Sequence, residues 1–258
     1  MLNKKIFLLD TGLFIRHIDK CLKEDSLDTN LNSIVSNDSF DVAIVSLFKL
    51  SEEKERKIEQ IIESKIKKII LIENGLELYL NSKNNLPYSV YSKVIPKNEI
   101  CKKYLDIEKK IAGSKKQHVI FRVSEIYGQS MPDSLVEQLL NTTSGEFENS
   151  CHDFIYDGDV ISAVEIALKN DVTGIFDIAS GYSISLKNVV ELIKKIKQDD
   201  FELSWKNKKL RIVFNCENFK FYKWEPLVNL ELGIKTLLSL RRKYGDLQNT
   251  RDRKRKNF

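Results

Sequence analysis

Short, unbroken apolar runs alternate along the chain with stretches in which apolar residues recur every three or four positions. Ile6–Leu9, Phe40–Leu47, Lys68–Ile72, Val119–Val123 and Gly174–Ala179 have the length and continuity of strands buried on both faces of a parallel sheet. Between them the spacing changes to that of amphipathic helices. One is expected over Leu13–Lys23. A second is capped by Ser51 and runs to Ser64 with Ile58, Ile61 and Ile62 as its stripe and Glu52 and Glu53 in its first turn. A third, over Asn98–Ile111, presents Ile100, Tyr104, Ile107, Glu108 and Ile111 and is closed by Gly113. Cys151 to Tyr156 reads as a loop; Asp157 and Asp159 then open a helix with Val160, Ala163, Val164, Ala167 and Leu168 inward. Ser185 caps another helix, with Leu186, Val189, Val190, Ile193 and Ile196 on one side, and Arg211–Phe214 reads as a late strand. Strands and helices in alternation predict an α/β architecture around a parallel sheet.

Composition narrows the class. With 258 residues and 42% hydrophobic content the chain can bury a real core as one domain with a small appendage, and disorder is excluded for most of it. Cys21, Cys101, Cys151 and Cys216 form no C-x-x-C pair, and His17, His118 and His152 are far apart. Neither a disulfide framework nor a metal site is expected, which suits a reducing, cytoplasmic compartment. The Ile6–Leu9 run is interrupted by Asp10 and reads as a first strand, not a signal peptide; no apolar run approaches a membrane span. The net charge is +5. Arg251, Arg253, Lys254, Arg255 and Lys256 against Asp252 give the segment after Gln248 a net +4, leaving +1 for the rest. A basic tail on a neutral body reads as a solvated appendage, not a nucleic-acid footprint.

Several short motifs occur in one order. Lys4-Lys5-Ile6-Phe7-Leu8-Leu9 precedes Phe14-Ile15; Phe40–Leu47 begins with Phe-Asp-Val; Arg122 is followed by Tyr127-Gly128; Asp153-Phe154-Ile155 precedes Asp159; Ile178, Ser180 and Gly181 follow; and Trp224-x-Pro226 leads to Leu230-x-Leu232-Gly233-Ile234. Together they resemble the extended short-chain dehydrogenases that act as NAD-dependent epimerases and dehydratases on nucleotide sugars. The resemblance implies a Rossmann-like parallel sheet flanked by helices over about residues 1–130, with later segments (about 151–180) returning to it. It also implies a small substrate subdomain over 131–246 and a basic tail over 247–258. The interval between Leu22 and Phe40 is too short for the family's second and third strands and the helix between them, so the sheet is expected to be trimmed there.

The same resemblance places the chemistry, and this chain departs from it there. The three glycines of the dinucleotide turn fall on Asp10, Leu13 and Arg16, with Gly12 off the pattern. A carboxylate and two large side chains oppose a pyrophosphate that needs close backbone approach. A chance match of a common strand and helix start is the other reading of this turn. The family's Tyr-x-x-x-Lys places a lowered-pKa tyrosine beside a lysine one helical turn on. Here Tyr88 and Lys93 are five apart and Tyr91 and Lys93 two apart, with Pro96 close behind. A loop before the next helix, or a distorted pair meeting through a bulge, both remain open. The catalytic candidates are Tyr88, Tyr91 and Lys93, the cofactor candidates Asp10, Gly12, Leu13 and Arg16. Arg122, Glu125, Tyr127 and His152 are the substrate candidates, Glu125 standing for the family's asparagine and His152 for its arginine beside the diphosphate.

Two functional readings follow. One is an NAD- or NADP-dependent epimerase, dehydratase or reductase of surface-polysaccharide synthesis with lost or weakened cofactor binding. The other is a non-catalytic relative that senses a UDP-, GDP- or dTDP-linked sugar or binds a partner. A homodimer through the helices Ser51–Ser64 and Asn98–Ile111 is what the resemblance implies for assembly.

Overall fold

The computed structural model describes residues 4–9, 12–24, 28–31, 40–79, 86–241 and 243; Asp10 and the basic tail lie outside them. Six strands form one parallel sheet: β1 (Lys5–Leu9), β2 (Asp28–Leu31), β3 (Val42–Ser46), β4 (Lys68–Asn74), β5 (Gln117–Val123) and β8 (Gly174–Ile178), in the order β2-β1-β3-β4-β5-β8. The apolar runs alternate faces with period two. Ile6, Leu8, Ile44, Ile70 and Phe121 pack beneath α1 (Leu13–Glu24) and α6 (Asp157–Lys169). Phe7, Leu9, Ala43, Leu71 and Ile120 pack beneath α2 (Glu52–Glu63) and α4 (Glu99–Ala112). One strand, β2, lies outside β1 among the described residues, so the sheet is short on that side, as the interval after Leu22 implied.

Local chemistry accounts for the helix ends. The Ser51 side chain accepts from the Lys54 amide at 3.2 Å, Asn98 from Cys101 at 2.7 Å and Ser185 from Asn188 at 3.2 Å, each satisfying an amide that has no partner within its helix. α2 and α4 are neighbours, joined by Lys103–Glu55 and Lys110–Glu59 ion pairs at 2.6 Å.

The chain then builds a smaller unit from β6 (Glu125–Tyr127), α5 (Leu135–Asn141), β7 (Glu146–Tyr156), β9 (Ser183–Ser185), α7 (Leu186–Lys197), β10 (Ser204–Arg211) and a helix over residues 230–241. Its sheet runs β10-β7-β6, with β9 antiparallel to β7. Tyr127, Leu139, Phe154, Val189, Ile193 and Ile234 form its core. Two buried aspartates bind it to the main sheet. Asp153 accepts from the Ser180 amide and hydroxyl and the Gly181 and Phe214 amides at 2.7 to 3.1 Å. Asp159 accepts from the Leu227 and Val228 amides, while the Trp224 indole donates to the Asp159 carbonyl.

Three expectations are corrected. Cys151–Tyr156 is not a loop but the C-terminal half of β7, whose polar first half, Glu146 to Ser150, carries no apolar signal. The late strand ends at Arg211 instead of starting there, and Phe214 makes only an isolated bridge to Tyr88. Ile100 is half exposed, and Cys101 takes its inward position on α4, a rotation of one residue around the helix. No described helix is long and apolar enough to cross a membrane.

Candidate functional site

Open parallel sheets bind ligands where neighbouring connections leave in opposite directions, beyond the carboxyl ends of the strands. Here that point lies between β1 and β3, and a cavity of about 280 Å³ opens there. Gly12, Leu13 and Phe14 enter it from the start of α1, and Ser46, Phe48 and Lys49 from the end of β3. Asn74 ends β4, Ser124 and Glu125 follow β5, and the loop from Ser130 to Ser134 closes the far wall. Leu13, Phe14, Phe48 and Met131 supply an apolar surface, with Phe14 and Phe48 edge to face at 5.5 Å. The polar lining is mainly hydroxyl and amide.

The loop that forms the far wall is held from beneath. Asp157, fully buried at the start of α6, accepts from the Ser130 amide at 2.9 Å and its hydroxyl at 2.6 Å, with His17 Nδ1 at 3.5 Å. Gly128 has φ +148° and a Cβ there would lie 2.1 Å from the Asp157 carboxyl carbon, so backbone conformation and space both require glycine.

The sequence candidates separate by burial. Gly12, Leu13 and Glu125 line the cavity, whereas Arg16 is exposed on α1 and is not part of the lining. Arg122 is not at the cavity. It is buried in the sheet, where its Nε and Nη2 each donate to Glu108 at 2.7 Å and its Nη1 to the Tyr79 hydroxyl at 3.0 Å. Tyr127 is equally buried, its hydroxyl 3.4 Å from the Asn229 carbonyl and against Gly233. Both are framework residues, because a side chain whose donors are satisfied inside the core has none left for a ligand. His152 is buried behind Glu125, its Nδ1 3.8 Å from the Glu125 carboxylate.

The loop alternative holds for the tyrosines and lysine. Tyr88 is buried and stacked on Tyr79 at 5.4 Å, while Tyr91 is 88% exposed and Lys93 exposed, so the three do not meet in the cavity. α4, which follows them, carries Tyr104 with Glu108 one turn on. The Tyr104 hydroxyl donates to the Leu47 carbonyl at 2.6 Å. Burial, then the Glu73 and Glu77 carboxyls, push its pKa up, opposite to what a proton-transferring tyrosine requires. Glu108 is held below the usual carboxylate range: burial opposes this, but the neighbouring Glu73 carboxyl and the two Arg122 hydrogen bonds prevail. Glu73 itself is fully buried, and burial, then Glu108 beside it, push its pKa well up. Asp177 completes this buried group, accepting from Tyr79 at 2.9 Å.

Sequence reasoning missed Ser46, Phe48, Lys49, Ser124 and Ser130; Asn74 stands where the resemblance places a catalytic hydroxyl residue. The available signal was positional: Ser46, Asn74 and Ser124 each stand at the carboxyl end of a buried apolar run. Among the described residues no cluster of three or more metal-ligating side chains occurs.

No family model matches the chain, and no curated protein matches it in sequence. Solved structures share its fold throughout. The UDP-glucose 4-epimerase of Thermotoga maritima, solved with UDP-glucose, is 17% identical with a TM-score of 0.78, covering 93% of this chain and 99% of its own. The ADP-L-glycero-D-manno-heptose-6-epimerase of Helicobacter pylori is 17% identical, TM-score 0.75, covering 92% and 96%. The Bordetella bronchiseptica enzyme WbmG, solved with NAD and UDP, is 10% identical, TM-score 0.79, covering 94% and 96%. The chain therefore has the extended short-chain dehydrogenase fold that nucleotide-sugar epimerases and dehydratases share.

Proposed function

We propose that this protein binds a nucleotide sugar in the cavity at the carboxyl edge of its sheet and does not transfer hydride. The observation that carries the reading is the cavity lining, which among the described residues includes no tyrosine, while Tyr88 is buried against Tyr79 and Tyr91 and Lys93 are exposed away from it. The residues present do not fit a nicotinamide dinucleotide used for redox chemistry: Leu13, 55% exposed, stands in the cavity where α1 begins, and among the described lining residues no tyrosine stands beside a cation that would lower its pKa. Structural neighbours solved with UDP-glucose or with NAD and UDP support the ligand class. An epimerase fold that holds a nucleotide sugar without transferring hydride is a sensor or partner-binding module in the nucleotide-sugar pathways that build surface polysaccharides.

The arrangement supports binding in physical terms. Leu13, Phe14, Phe48 and Met131 offer apolar area to a sugar or base face, and Ser46, Asn74, Ser124 and Ser130 offer directional hydrogen bonds. The test is a calorimetric and thermal-shift titration with UDP-glucose, dTDP-glucose, GDP-mannose, NAD(H) and NADP(H), with the sugars recovered and identified afterwards. Saturable sugar-nucleotide binding with unchanged sugars is expected. Saturable dinucleotide binding together with sugar conversion would overturn the reading.

A further inference from the structure

Behind the cavity wall stands a row of side chains that the framework does not explain. Ser150 and His152 are two apart on β7 and therefore project from the same face. Ser150 Oγ lies 2.7 Å from His152 Nε2, and His152 Nδ1 lies 3.8 Å from Glu125 Oε2. Glu125 reaches the cavity with a quarter of its side chain exposed. His152 is 8% exposed, and its Nδ1 makes no hydrogen bond. Next to Glu125, Ser124 lines the same cavity at 2% exposure, and its Oγ also has no partner. Buried polar atoms are nearly always paired. An orphaned hydroxyl at a cavity wall, beside a partly exposed carboxylate with a histidine behind it, marks a place that a ligand completes.

Charge decides which part of a ligand belongs there. Among the described residues lining the cavity the charged groups are Lys49, Asp133 and Glu125. Lys49 and Asp133 are more than four-fifths exposed at the mouth, 3.5 Å apart, a pairing weak enough to open for a ligand. Glu125 is the charge of the interior, where a phosphate would be repelled with little solvent to screen it. A sugar hydroxyl, or the ammonium of an amino sugar, would instead donate to it.

We propose that Glu125, positioned by His152, recognises a sugar hydroxyl together with Ser124, so that the sugar end of the ligand enters the cavity and the diphosphate stays at the mouth beside Lys49. This rests on the nucleotide-sugar reading and names the orientation. His152 Nδ1 lies 3.8 Å from the carboxylate with no partner of its own; in the tautomer that carries its hydrogen on Nδ1, that hydrogen faces Glu125 and draws the carboxylate toward it.

The test compares UDP-glucose with UDP alone by calorimetry, in the full chain and in Glu125→Gln, His152→Gln and His152→Phe, with circular dichroism confirming each fold. A charge-assisted hydrogen bond corresponds to a loss of about 10- to 100-fold. Glu125→Gln should weaken UDP-glucose by that factor and change UDP by less than about two-fold. His152→Gln, which keeps a donor, should restore most of the affinity that His152→Phe loses. Unchanged or tighter UDP-glucose binding in Glu125→Gln, as expected if a phosphate sat there, overturns this orientation alone. Failure of the unaltered protein to bind any sugar nucleotide overturns the functional reading and the orientation with it.

Discussion

Asp177 offers the sharpest check on the buried polar group. It is fully buried on β8, in register with Arg122 on β5, and accepts from the Tyr79 hydroxyl at 2.9 Å. Burial raises its pKa from the ordinary 3.8 to about 7, against the opposing pull of the Tyr79 hydroxyl, Arg122 and the Val90 amide. The folded protein therefore binds this proton more tightly than the unfolded chain does. Its stabilising contribution is complete below pH 3.8 and is lost as pH rises through about 7. At about 1.4 kcal/mol per pH unit over which the proton is retained, the interval corresponds to about 4 kcal/mol. Asp177→Asn keeps an acceptor for Tyr79 and mimics the protonated acid. Urea unfolding followed by the fluorescence of Trp205 and Trp224 should find the variant within about 1 kcal/mol of the natural protein at pH 4.5. At pH 8 it should be more stable by up to about 4 kcal/mol. A variant destabilised by the same amount at both pH values would mean that Asp177 is ionised in the fold as the partner of Arg122, and would refute the reasoning.

Three further outcomes are expected. Arg122→Met leaves Glu108 buried without its cation and should cost about 3–5 kcal/mol in the same assay, part of which Arg122→Met with Glu108→Leu recovers. Lys68, whose Nζ donates to the Ala167 and Asn170 carbonyls, has its pKa lowered to about 8 by burial and then by Lys4, with Asp171 opposing. Since the unfolded chain then holds more protons between pH 8 and 10.5, stability should rise across that interval, and Lys68→Met should abolish the rise. Gly128→Ala forces its Cβ onto Asp157; a melting temperature within 1 °C of the natural protein, where a loss of at least about 2 °C is expected for 1 kcal/mol or more, would show that the far wall of the cavity is not held as described.

How much was legible follows from what each element depends on. β1, β3 and β4 are buried on both faces over residues 6–9, 42–45 and 69–72, so those stretches are apolar at every step and readable as runs. The α2, α4 and α7 starts were readable because a Ser or Asn side chain acts within its own turn. β10, Ser-Trp-Lys-Asn-Lys-Lys-Leu-Arg, is largely exposed and exists because it pairs with β7; pairing of that kind leaves no periodic trace. α3 (Gly75–Tyr79) is a five-residue turn set by its surroundings. Glu125 and His152 could be named from a motif, yet their adjacency comes from β6 lying alongside β7. The same motif named Arg122 and Tyr127, which point into the core, because resemblance identifies positions along a strand and not which face each one occupies.

Burial of charge explains why the fold persists while its chemistry differs. Several deeply placed ionisable groups satisfy one another or the backbone: Arg122 with Glu108, Asp153 with four donors and Asp159 with two amides. Removing any one partner leaves a buried charge or an orphaned donor, so these residues are constrained by stability whatever the cavity does. Ser124 and Glu125 in the cavity lining carry no such constraint. Ser124 Oγ has no internal partner and the partly exposed Glu125 carboxylate lies 3.8 Å from His152 Nδ1, so a change at either alters what the cavity holds at little expense to the fold. Stability therefore predicts that Glu125→Gln melts within about 1 kcal/mol of the natural protein while Arg122→Met does not. That contrast separates the framework from the site before any ligand is added.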